Sequence, residues 1–106
     1  MNILHALGQL ADPHSLPVVL QALQDSAWDV RAKAASCAGQ IGSAEAIPLL
    51  EERLNDEHWW VRFYAAEGLF KLGHQGLAAL WSAAEGQRIR AADIAHGLLR
   101  EKGLAA

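Results

Sequence analysis

The residues of this chain that could do chemistry are few, and their spacing argues against a catalytic centre. Five histidines occur, at His5, His14, His58, His74 and His96. None stands four residues from another, and no His-Glu-x-x-His run exists, so a helical metal pair lacks its ligands. The one thiol, Cys37, lies at helical spacing from Val30, Ala34 and Ile41. A nucleophilic cysteine needs a depressed pKa and a nearby base, whereas one on an apolar stripe acts as a small buried hydrophobe. A single cysteine also forbids an internal disulfide and a Cys-based zinc set. No Ser-His-Asp logic, phosphate loop or carboxylate pair stands out. The expectation is a protein that is not an enzyme, with no cofactor and no metal.

Recognition chemistry remains. Trp60, Phe63, Tyr64, Glu67 and Lys71 fall on one face of a helix. They are not on the apolar stripe of Val61, Ala65, Leu69 and Leu72. Thirty-one residues earlier, the matching places hold Asp29, Ala32, Lys33, Ser36 and Gln40. Laid side by side, two such faces make a shallow groove of aromatics with a charged rim, which suits a protein or peptide partner; the alternative is that Trp60 and Phe63 are half-buried because they cover the adjoining repeat. Trp28 and Trp59, also 31 apart, fall at inter-helix turns, and their recurrence points to packing. His58 is expected in solvent and His96 in packing.

The elements that must carry these residues announce themselves by repetition. Val30, Arg31, Ala34, Ala35 and Gly42 recur as Val61, Arg62, Ala65, Ala66 and Gly73, each 31 positions on. A fixed period of this length means stacked supersecondary units. The all-α class follows from abundant Ala, Leu, Gln, Glu, Lys and Arg and the absence of Val, Ile and Thr runs. With 106 residues the chain makes one domain, 1–106. It divides into a half-repeat, 1–11, and repeats 12–42, 43–73 and 74–103, giving about seven helices.

The half-repeat carries a stripe of Ile3, Leu4, Leu7 and Leu10. Its uncovered apolar edge predicts a homodimer, a longer parent chain or a bound partner. In the first full repeat, Asp12 caps and Pro13 opens a helix to about Gln24. A second helix follows from about Ala27 to Ile41, with Val30, Ala34, Cys37, Ala38 and Ile41 inward. Gly42 suits a left-handed C′ position. Ser43, Ile47, Leu50, Leu54 and Gly73 repeat that order. Pro17 and Pro48, 31 apart, predict a kink or a distorted first turn. The third unit is shifted. A short helix spans Gly76 to Ala84, Ile89-Arg90 restarts the Val-Arg motif after 28 residues, yet Ala95, Leu99 and Gly103 align at 30.

Charge narrows the partner. Nine Lys and Arg stand against twelve Asp and Glu, a net of −3, which disfavours general nucleic-acid affinity. A local stripe of Arg31, Lys33, Arg62 and Lys71 keeps nucleic-acid binding as a weaker alternative. No apolar run approaches the roughly 18 residues of a membrane span, and no export signal is visible. Membrane insertion by this segment is not expected, and the expected compartment is the cytoplasm.

The run Val-Arg-x-x-Ala-Ala-x-x-(Ala/Leu)-x-x-(Ile/Leu)-Gly resembles the second helix of HEAT-like repeats, of the short bacterial type named from phycobilin lyase subunits. Ala46-Ile47-Pro48-Leu49-Leu50 with Asn55-Asp56 resembles that family's first helix and turn, and Trp59-Trp60-Val61-Arg62 is similar to bacterial members. The resemblance implies a right-handed α-α superhelix whose second helices line a concave side. It also implies a ladder between consecutive turns built from Asp25, Arg31, Asp56 and Arg62. An Arg near a helix N-terminus opposes the helix dipole and needs such a partner; binding of a ligand anion is the alternative role. An iron-binding enzyme of the class uses His-Glu dipeptides, where this chain reads Ala-Ser-Cys and Ala-Glu-Gly. The resemblance therefore implies a scaffold or adaptor binding protein or peptide, or else an accessory subunit of an enzyme such as a chromophore lyase.

Overall fold

Every regular element among the described residues is helical. The computed structural model describes residues 12–106. The expected half-repeat 1–11, with His5 and the edge of Ile3, Leu4, Leu7 and Leu10, lies outside them. Six α-helices follow in order: α1 (Leu16–Ala22), α2 (Trp28–Ile41), α3 (Ile47–Arg53), α4 (Trp59–Lys71), α5 (Gly73–Ala84) and α6 (Ile89–Glu101).

The first two units begin alike for one local reason. The Asp12 carboxylate accepts from His14 N–H and the Ser43 hydroxyl from Glu45 N–H. Each cap opens a single 3-10 turn, Pro13–Ser15 and Ala44–Ala46, that runs on into α1 and α3. Pro17 and Pro48 are thus the second residues of their α-helices. There their missing N–H is one that a helix start leaves unused. The distortion expected of these prolines is the 3-10 turn before them.

The paired helices share one hydrophobic core. Val19 and Leu23 from the first unit, Leu50, Leu54 and Leu69 from the second, and Leu80 and Leu99 from the third have no exposed surface. Each such side chain contributes about 1.5–3 kcal/mol by leaving water. Ala34, Cys37 and Ala38 are buried as expected, but Val30 and Ile41, at the ends of the stripe, are half-buried. Helix α2 packs more extensively on α4 than any other pair. Their N-termini meet where Trp28 stacks on His58, and their C-terminal halves meet at Gly39 and Gly68. The two helices therefore run side by side in one direction. A Cβ on Gly39 would lie 2.7 Å from the Gly68 Cα, so the approach requires a bare backbone.

The third unit departs from expectation twice. Gly73, at φ 74°, does not merely end α4; it begins α5, with Leu72 as the only residue between them. Helix α5 thus starts at Gly73 instead of Gly76, because a left-handed glycine turns the chain without a loop. Ile89-Arg90 is not the Val-Arg motif. Ile89 is 77% exposed, and Ala91, Ala95 and Leu99 take the buried places of Val61, Ala65 and Leu69. The spacing is 30 throughout, and Gly103, at φ 77°, completes it. Arg62 and Asp56 are therefore matched in the third unit by Ala92 and Gly86.

Candidate functional site

Parallel alignment of α2 and α4 creates the groove. Their facing residues, Asp29, Ala32, Lys33 and Ser36 on α2 and Trp60 and Tyr64 on α4, line an open hollow of about 550 Å³, with Trp28 at its end. Trp28 is 43% and Trp60 46% exposed, far more than their size would leave in a core. The Trp60 and Tyr64 rings stack, centroids 5.9 Å apart at 26°. Trp28 is held differently: its ring lies 3.6 Å from that of His58, nearly parallel at 6°. His58 is in turn fixed as the N-cap of α4, its Nδ1 accepting from Trp60 N–H. Two aromatic walls, each pinned by a neighbour, thus bound a floor of Ala32 and Ser36. Asp29 and Lys33 supply one charge of each sign at its rim.

Six of the ten residues expected in the groove meet there: Asp29, Ala32, Lys33, Ser36, Trp60 and Tyr64. Glu67, Lys71 and Gln40 do not line it. Lys71 lies eleven residues beyond Trp60, roughly 16 Å up the helix at 1.5 Å per residue. Its stem would meet a Cβ on Gly39 at 3.4 Å. Phe63 turns the other way, into a second, apolar hollow with Trp59, Ala66, Ile94 and Leu98 between α4 and α6. At about 100° per residue, i+3 and i+4 fall on opposite flanks of Trp60. His58 and Trp28 correct the expectation in the other direction. His58 is half-buried under a stacked ring, and Trp28 walls the groove while also joining two repeats. Trp59, 48% exposed, stacks on Phe63 at 5.3 Å. His96 pairs on the surface of α6, its Nδ1 2.9 Å from an Arg100 nitrogen.

The arginines and aspartates form a different arrangement at the turns. Arg31 Nη1 donates to the backbone carbonyls of Asp25 and Ser26 at 2.8 and 3.0 Å. Its Nε and Nη2 grip the Asp56 carboxylate of the next unit at 2.8 and 3.1 Å. Asp56 also accepts from Arg53 Nη1 and from His58 N–H. Arg62 repeats the backbone half of this, donating to the carbonyls of Asp56 and Glu57 at 2.8 and 3.0 Å. The rung therefore runs from Arg31 to the following unit's Asp56. Within a unit the six-residue pairs, Asp25 with Arg31 and Asp56 with Arg62, meet through backbone carbonyls. Asp56 is 8% exposed. Burial alone would raise its pKa, but hydrogen bonds from Arg31 and His58 N–H and the charges of Arg31 and Arg53 outweigh it and hold the value below the ordinary carboxylate range. Burial pushes the Cys37 thiol up despite the opposing charge of Lys33, the opposite of what an attacking thiolate needs.

Consecutive helix hairpins sharing one core, with their second helices side by side, define an α-helical repeat scaffold. A sequence model of HEAT repeats matches residues 1–70 and again 16–98, and the chain belongs to the HEAT-repeat family. Repeats of this family form helical scaffolds that often mediate protein interactions. A comparison with curated protein sequences found no match. Among the described residues no helix is long and apolar enough to cross a membrane, and no group of three or more His, Cys, Asp or Glu is placed to hold a metal ion.

Proposed function

We propose that the chain is a non-catalytic scaffold that binds a polypeptide segment in the groove between α2 and α4. The observation that carries this reading is the pair of half-exposed tryptophans, Trp28 and Trp60, facing one hollow with Tyr64. Aromatic rings cost little rotamer entropy to immobilise, and they dominate the energy of protein interfaces. A groove with apolar walls and one charge of each sign at the rim suits an extended segment that carries an apolar anchor and flanking charges. Burial and the raised pKa of Cys37 make that thiol a poor nucleophile.

The test uses peptides selected from a displayed library on the wild-type protein and counter-selected on a groove variant. Tyr64→Ala combined with Lys33→Glu removes one wall and inverts one rim charge. The selected peptide should bind this variant roughly thirtyfold more weakly, the loss of about 2 kcal/mol expected for an aromatic anchor. Equal affinity in a variant with unchanged helical circular dichroism would refute the groove.

A further inference from the structure

Arg62 is anchored as Arg31 is, but among the described residues no carboxylate pairs with its remaining edge. Both guanidinium groups are anchored through Nη1 to two turn carbonyls, at 2.8 and 3.0 Å in each case. In Arg31 the remaining edge, Nε and Nη2, holds a carboxylate with both oxygens. In the third unit Gly86 stands where Asp56 stands in the second. Among the described residues no carboxylate lies within 4 Å of the Arg62 guanidinium. The side chain lines a hollow of about 230 Å³ with Trp59, Ile89, Arg90, Asp93 and Ile94. We propose that this hollow is a carboxylate-binding site, filled by an Asp or Glu side chain of a polypeptide partner whose neighbouring apolar residue rests on Trp59.

Charge and shape favour this occupant over other anions. Asp93 offsets one of the two arginine charges, leaving a single positive charge that matches a carboxylate and disfavours the dianionic form of phosphate. A guanidinium fixed by its other edge has already lost the rotamer freedom that a surface ion pair ordinarily costs. The exposed ring of Trp59 and the side chains of Ile89 and Ile94 supply an apolar wall beside the fork. The site is separate from the groove of α2 and α4, and it stands or falls independently of the function proposed above.

The test titrates isotope-labelled wild-type protein with a blocked pentapeptide carrying a central glutamate between leucines, and with its glutamine twin. The Arg62 Nε–H and Trp59 indole signals should move with the glutamate peptide, while the Trp28 indole, which reports the groove, stays in place. The glutamine peptide should bind about fivefold more weakly, the scale of one partly exposed ion pair. Arg62→Lys, which keeps the charge and loses the two-pronged geometry, should weaken the glutamate peptide by a similar factor. Equal binding of the two peptides, unchanged binding by Arg62→Lys, or a larger Arg62 shift with inorganic phosphate than with the peptide at equal concentration would each overturn the assignment.

Discussion

Asp56 ties two repeats together through one carboxylate, and its loss should be felt beyond its own turn. Removing one partner of a buried pair leaves the other charge uncompensated, at about 3–5 kcal/mol. Arg31 keeps two backbone carbonyls, so the lower end, about 3 kcal/mol, is expected for Asp56→Ala in urea unfolding. The sign of the pH effect follows from the lowered pKa. An aspartate unfolded at about 3.9 and lower when folded contributes fully above pH 4 to 5. That contribution disappears as pH falls through the folded value. Wild type should therefore lose stability more steeply below pH 4 than Asp56→Asn, whose curve lacks this component. Recurrence made both residues visible in the sequence. A period gives equivalent positions and says nothing of which equivalents touch; the ladder between consecutive turns came only from the family resemblance, and in the structure its rung runs from Arg31 to the following unit's Asp56.

At the scale of the helix, the α2–α4 crossing makes a paired prediction. Gly39→Ala gains about 1 kcal/mol of helix propensity, but its Cβ would sit 2.7 Å from backbone at Gly68, and overpacking costs about 1–3 kcal/mol. The net should be destabilising by about 1 kcal/mol. Gly97, on α6, has nothing within 4 Å of a built Cβ, so Gly97→Ala should stabilise by up to about 1 kcal/mol. Thermal melts of the two variants should shift in opposite directions. The helices of the first two units were legible because Val-Arg, Ala-Ala and Gly recur at one spacing. The third unit's two helices were legible as well, but the register of its last helix was not, because Ile89-Arg90 imitates the motif two residues too early. Burial distinguishes them: Ile89 stands 77% exposed while Ala91 is buried. The one-residue corner at Leu72 was equally hidden, since a C-terminal glycine ordinarily announces a loop.

Across the whole molecule, the stack turns a linear repeat into a surface. Trp28 and Trp60 belong to different units and become neighbours only because the second helices lie in register. The aromatic face was readable from helical spacing. Its division was not: Tyr64 faces α2 and Phe63 faces α6, a consequence of having a helix on each side. The same stacking sets Arg62 after the last rung of the aspartate–arginine series among the described residues, since Gly86 stands in the place of the next aspartate. The groove thus depends on every level below it, and binding within it is the claim on which the functional account rests. The four tryptophans give four indole signals, and titration with a library-selected peptide tests that claim directly. The Trp28 and Trp60 indoles should shift together to saturation while that of Trp81, half-buried on α5, stays fixed. A peptide that saturates the protein and leaves Trp28 and Trp60 unmoved would contradict it.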